Sequence, residues 1–295
     1  MDIIWSIMKW PLLACLLLPG LLVYLGLHIV RREIIFVDLA LAQVAALGTC
    51  VCLMLGHDAR EPHTYWWSVG FTLVGALIFT LTRSHEKQRV PQEALIGIVY
   101  VVAAATAILL LSRSTEGNEE LKKTLVGDVL TVSGTEVLQT FALYLAIGLV
   151  HFIFRKRFLA ISFEPERART SGLAVRGWDF LFYALFGVAV TSFVQIGGVL
   201  LVFSYLIVPA VCANLLARRL AVLMTVGWLI ATLGGVAGLY FSYRFDLPTG
   251  AAIICVLGAI LLLTGIVVKF RPENRAATLP AGANAAPPGS SNADT

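Results

Sequence analysis

Few residues in this 295-residue chain sit inside apolar runs and carry a group able to hold a cation or move a proton. The stretch FVDLALAQVAALG, residues 36–48, sets Asp38 and Gln43 among Phe, Val, Leu, Ala and Gly. An aspartate at mid-membrane costs roughly 2.5–3.5 kcal/mol on insertion scales, so it must face a protein interior or an aqueous cavity. On a helix Asp38 shares a face with Ala42, Ala45 and Thr49, and Gln43 shares another with Ala40 and Ala46. Small residues let a neighbouring backbone approach, which marks packed seams rather than lipid-facing stripes. Two roles stay open for Asp38: lining or gating an ion path, and snorkelling or capping a helix from a position near the span's end. For Gln43, which lies deeper, a helix-to-helix hydrogen bond is the first expectation.

Two further segments carry chemistry. GHDAREPH, residues 56–63, gathers His57, Asp58, Glu61 and His63, side-chain types that bind zinc or manganese. Their spacing fits no closed site, so the expectation is a solvated loop that serves at most as a weak point of metal access. In LIVPAVCANLLARRLAVLM, residues 206–224, Pro209 ends or kinks a span, a small-residue stretch follows, and Arg218 and Arg219 precede the next span. That pattern describes a short helix at the membrane surface, with Ala210 and Ala213 permitting close approach of a soluble partner. A tight basic turn fits the same residues.

Other chemistry is missing. No G-x-x-x-x-G-K-[ST] is present for nucleotide hydrolysis, no H-E-x-x-H and no G-x-S-x-G. No pair of carboxylates is expected to meet inside the membrane, which argues against a protease or a proton-driven pump. Nothing points to nucleic acid. A path, or a surface for a partner, remains.

The elements that hold these residues follow from composition. The chain is 58% hydrophobic and 14% charged, with a mean hydropathy of +0.85. Nearly every apolar run reaches or approaches the ~20 residues that cross ~30 Å of hydrocarbon as a helix. The fold class is therefore all-α, a polytopic helical membrane protein with eight or nine spans, the N-terminal run being read as a retained first helix. Nine are placed, at about 11–30, 33–56, 64–82, 93–112, 135–153, 178–195, 198–216, 220–241 and 249–268, with a tight hairpin at Gly197-Gly198 as the least secure boundary. The five cysteines lie inside apolar runs and read as small buried residues rather than disulfides or metal ligands. Alternate loops collect sixteen of the 22 basic residues, which places those loops in the cytoplasm, the N-terminus outside and the C-terminus inside. Residues 1–270 form the membrane domain, and 271–295, rich in Pro, Ala, Gly, Ser and Asn, form a tail expected to be disordered. VPQEALIGIVY (90–100) and LPTGAAIICVL (247–257) each put a proline ahead of an apolar helix on opposite membrane sides, as an inverted-topology repeat would. Proline is common enough at helix starts to give the same echo by chance.

Six stretches in order together resemble the permease subunits of the metal-uptake ABC importers, the family that takes up zinc, manganese or iron(II). They are RREIIFVDLALAQVAALG (31–48), EALIGIVYVVAAATAILLLS (93–112), LVGDVLTVS (125–133), RKRFLAISFEPERARTSGL (155–173), IGGVLLVFSYLIVPAVCANLLARRL (196–220) and DLPTGAAIICVLGAI (246–260). The resemblance implies a type II importer-like permease fold and a homodimer in the bacterial inner membrane. It also implies separate ABC ATPase subunits that use the ATP, an extracytoplasmic metal-binding protein, and no cofactor bound by this chain, the metal ion being cargo. It makes 209–220 the coupling helix, carried by Pro209, Ala210, Ala213, Asn214, Arg218 and Arg219. Where many members read roughly GDALAH, this chain reads VDLALAQ, with Asp38 kept and Gln43 at the usual histidine position. An amide oxygen is a poorer zinc ligand than imidazole, so zinc specificity does not follow from the resemblance. On the residues alone, a free-standing transporter or channel using Asp38 as its ion site remains the competing reading.

Overall fold

The computed structural model describes residues 2–57, 61–83, 91–112, 127 and 129–270. Asp58 and the expected tail, 271–295, lie outside the described residues.

With no water to satisfy backbone groups in hydrocarbon, apolar segments of this length close their hydrogen bonds internally as helices. The helices are α1 (Asp2–Leu17), α2 (Pro19–Arg32), α3 (Val37–Met54), α4 (Pro62–Thr82), α5 (Gln92–Leu111), α6 (Gly134–Ile153), α7 (Arg155–Phe163), α8 (Pro165–Thr170), α9 (Val175–Leu216), α10 (Leu220–Phe245) and α11 (Thr249–Lys269). The boundaries have local causes. Pro19 starts α2, Glu33 closes it in the left-handed region at φ 57°, and Ser133 with Glu136 forms a reciprocal capping box at α6.

Among the described residues, eight helices are long and apolar enough to cross a bilayer, α1 and α2 counting as one span from Met8 to Arg32. One of the eight, α9, has 42 residues, about 63 Å if straight and twice the bilayer's hydrocarbon. It does not run straight. The His28 ring meets Phe182 at 5.7 Å, while the adjacent Leu27 shares a buried cluster with Ala210 and Ala213. Residues 182 and 210 therefore lie at one depth, although a straight helix would set them ~42 Å apart. Gly198, at φ 73° and ψ 168°, folds the helix back on itself, and the rings of Phe193 and Tyr205 face each other across the fold at 5.8 Å. Only glycine adopts that backbone geometry without strain. The described residues thus make nine passes, and the hairpin expected at Gly197-Gly198 is present.

The two halves of α9 form the centre of the bundle, surrounded by α2, α3, α4, α10 and α11. Tyr183, Tyr205, Phe182 and Phe186 fill the interior. At Gly26 the backbone of α2 lies directly on the return half of α9, where a Cβ would collide with the Leu206 carbonyl. Helix α4 turns a hydroxyl face inward, with Thr64, Ser68, Thr72 and Thr80 all buried at spacings of four or eight. Ser68 bonds Thr49 of α3 at 2.6 Å, and Thr72 bonds Thr191 of α9 at 2.9 Å. These cross-links set the position of α3, and with it Asp38, against the core. Four cysteines are buried and Cys255 is exposed, so the expectation of five buried thiols fails at α11, whose outer face has no neighbour. The chain's described arginine- and lysine-rich segments, at the ends of α2, α4 and α11, along α7 and between α9 and α10, fall at one end of the bundle, called here the basic end.

Candidate functional site

The last three turns of α2 place Tyr24, His28 and Arg32 in one row at i, i+4 and i+8. That row faces the inner ends of α6, α7 and α9. Arg32 Nε donates to Ser162 Oγ of α7 at 2.7 Å, and His28 Nδ1 meets the same oxygen at 2.7 Å. Arg32 Nη1 donates to Asp179 Oδ1 of α9 at 2.9 Å, and Arg83, at the end of α4, donates to that same Oδ1. The Arg32 guanidinium stacks over Phe182, 3.8 Å from the ring centroid, and His151 stacks on Phe158 at 4.3 Å. Asp179 is 1% exposed. Asp179 Oδ2, Arg32 Nη2, His28 Nε2 and His151 Nε2 are buried without a protein partner. Two arginines, one carboxylate and a serine hydroxyl thus join four helices inside an apolar bundle.

Sequence reasoning missed this network. It read Arg32 and Arg83 as topogenic charges and gave Asp179 no role. The available signals were an aspartate just inside a span and the i, i+4, i+8 row on α2.

A second buried carboxylate lies at the start of α3. Asp38 is 1% exposed, which rules out snorkelling, and its Oδ1 accepts the N–H of Leu39 in its own helix at 2.8 Å. Oδ2 has no partner, nor has the carbonyl oxygen of Gln43, which is 3% exposed. The hydrogen bond expected of Gln43 is therefore not made by that oxygen. At the head of α5, Glu93 lies by the backbone of Ile35 and Phe36, just ahead of α3, with its Oε2 buried and without a partner, and it acts electrostatically on Asp38. The sequence reading did not anticipate this electrostatic link between two acidic side chains. Glu93 escaped notice because it sits at a span boundary, where an acidic residue reads as a helix-start charge.

At the opposite end, His57 Nδ1 lies 3.2 Å from Glu61 Oε2 and the rings of His57 and His63 are 5.8 Å apart. Both partners of the His57–Glu61 pair are more than two-fifths exposed. No group of three or more His, Cys, Asp or Glu side chains among the described residues is arranged to hold a metal ion. The cluster is a solvated surface contact.

The expectation for 209–220 needs correction. Pro209 does not end a span, and no separate surface helix follows, since residues 199–216 run as one helix through it. Ala210 and Ala213 are fully buried with Leu27 and Leu223, and the Asn214 amide donates back to the Ala210 carbonyl at 2.8 Å. Packing on both sides goes with the difference, since a proline is tolerated within a membrane helix where neighbouring helices surround it. Of the six residues named for that role, only Arg218 and Arg219, in the break before α10, are exposed. The short helices at the basic end are instead α7 and α8, where Arg155, Lys156, Arg157 and Arg167 are exposed and Phe158, Ile161 and Ala168 are buried.

Compared with known families, residues 5–268 match the ABC 3 transport family. The chain belongs to that family. Among its ABC 3 relatives is the manganese transport system membrane protein MntC of Halalkalibacterium halodurans, 25% identical over 280 residues, 92% of this chain and 93% of that one. Another is the chelated iron transport system membrane protein YfeD of Yersinia pestis, 28% identical over 187 residues and 63% of each chain. In fold, this ABC 3 chain is similar to a chain of PsaBC from Streptococcus pneumoniae in complex with Fab, with a TM-score of 0.75, 23% identity, and coverage of 91% of this chain and 93% of that one.

Proposed function

We propose that this chain is the membrane permease of an ABC importer for a divalent transition-metal ion, with manganese or iron(II) as cargo. The observation that carries the reading is family membership over nearly the whole chain, with relatives whose names specify manganese and iron transport. The chemistry of the path agrees. Asp38, Gln43 and Glu93 offer only oxygen donors, which suit manganese better than zinc. The absence of a preorganised metal cluster among the described residues suits a path that must release its ion, so selectivity belongs mainly to an extracytoplasmic binding protein.

The chain acts as a conduit and not as an enzyme, and binds no cofactor. Two copies pair in the bacterial inner membrane, with the broad apolar faces of α5 and α11 meeting lipid or the second copy. The basic end is cytoplasmic by the positive-inside rule, which leaves the N-terminus outside. Separate ATPase subunits use the ATP and grip that end at the α7–α8 strap, assisted by Arg218 and Arg219.

Metal accumulation in a strain lacking the gene tests cargo, with manganese, iron and zinc measured side by side. A selective manganese or iron deficit is expected, and a deficit confined to zinc overturns the oxygen-donor argument. Purification from native membrane tests the class. If no ATPase co-purifies, the chain is a free-standing transporter.

A further inference from the structure

The strap that meets the ATPase in this reading is wired to the interior through one side chain. Ser162, on α7, is 4% exposed and turns its hydroxyl inward onto Arg32 and His28 of α2. Arg32 continues to Asp179 at the head of α9, and Asp179 to Arg83 at the foot of α4. Four helix ends therefore meet within five side chains.

Stability alone is a poor reason for such a network. Charges taken out of water lose solvation that their attraction only partly returns, and well-packed apolar residues often serve as well. An ionisable group inside a membrane bundle is accordingly a mark of function. The bonding is also incomplete in an informative way. Both arginines converge on Asp179 Oδ1, while Asp179 Oδ2 and Arg32 Nη2 remain buried and unpartnered. A bidentate guanidinium–carboxylate pair uses two oxygens and two nitrogens, so the bare atoms are the ones a second, fully paired arrangement would engage. Ser162 biases the choice because it holds Arg32 Nε, fixing the guanidinium's orientation.

We propose that Ser162, Arg32, Asp179 and Arg83 form a coupling linkage in which displacement of α7 by the ATPase re-pairs Arg32 with Asp179 and moves α2, α4 and α9 together. Ser162 and Asp179 are positioning residues in this scheme and need not touch the metal ion. The inference rests on the α7–α8 docking reading above and is tested separately from it.

The complex of this chain with its ATPase and binding protein is reconstituted in liposomes, and manganese(II) uptake is measured beside ATP hydrolysis. Ser162→Ala leaves the buried ion pairs in place, so the complex should form at normal yield and hydrolyse ATP at close to the normal rate. Manganese transported per ATP should fall about tenfold, within the usual range of energetic coupling between sites. Ser162→Thr keeps the hydroxyl and should restore most of the ratio. An unchanged ratio in Ser162→Ala overturns the proposal, whether the two rates stay normal or fall together, and so does loss of the ATPase from that complex. The docking reading has its own readout: Lys156→Glu with Arg167→Glu should release the ATPase during purification, and retention there would overturn the docking surface.

Discussion

Asp179 and Asp38 are both 1% exposed and both lie toward the basic end, yet their surroundings are opposite. Asp179 has two arginines on one oxygen, a neighbouring aromatic face under Arg32, and direct links to α2 and α4. Asp38 has one backbone N–H from its own helix, a bare second oxygen, and a like-charged Glu93 nearby. A compensated carboxylate holds parts together. An uncompensated one is available, and on the proposed function that makes α3 the better location for passing contact with the ion.

The comparison predicts its own largest break. Asp179→Ala leaves Arg32 buried without its counter-charge, a change that typically costs about 3–5 kcal/mol. Little folded protein should be recovered, as read by size-exclusion yield and thermal aggregation of the detergent-solubilised chain. Replacing both partners, Asp179→Leu with Arg32→Met, should recover much of that stability while transport stays impaired. If Asp179→Ala alone were as stable as the parent, the network would not hold the bundle together.

Asp38→Asn should reverse the pattern. The amide still presents an oxygen to the Leu39 N–H, so stability should change by less than about 1 kcal/mol. Metal accumulation should nevertheless fall by at least about tenfold if the carboxylate contacts the ion. Full uptake by Asp38→Asn would reduce the residue to a cap on its own helix.

How much of this was open to a reader of the sequence depends on the range of the interaction that decides each feature. The apolar runs located α3, α4, α5, α6 and the halves of α9 within a few residues, because a bilayer imposes length and composition locally. Gly197-Gly198 could be read as a hairpin because no single pass accommodates so long a run. Pro209 was misread because a proline ends a helix only where neighbours do not support it, and the support from Leu27 and Leu223 comes from distant segments. The Arg32–Asp179 pair spans 147 residues of sequence, and nothing local distinguishes its arginine from the topogenic charges beside it. Asp38 and Gln43 were found because polar residues inside apolar runs are conspicuous, but which of their atoms lacked partners required coordinates.

Glu93→Gln should have a smaller effect that sharpens the contrast between the two carboxylates. The neutral amide keeps the same place beside Ile35 and Phe36, but a charged group at a helix start contributes about 0.3–1 kcal/mol more than a neutral one. Stability should fall by roughly that amount in thermal unfolding. Uptake alone cannot separate a structural brace from a second oxygen donor, so the informative measurement is the pairing with Asp38→Asn. If Glu93 only braces the backbone ahead of α3, the two effects on uptake should multiply, as independent sites do. If the two carboxylates attend the ion together, the double variant should transport no worse than Asp38→Asn alone, because the site has already lost its second donor. The second outcome would extend the ion path across the α3–α5 seam, and simple multiplication would confine it to α3.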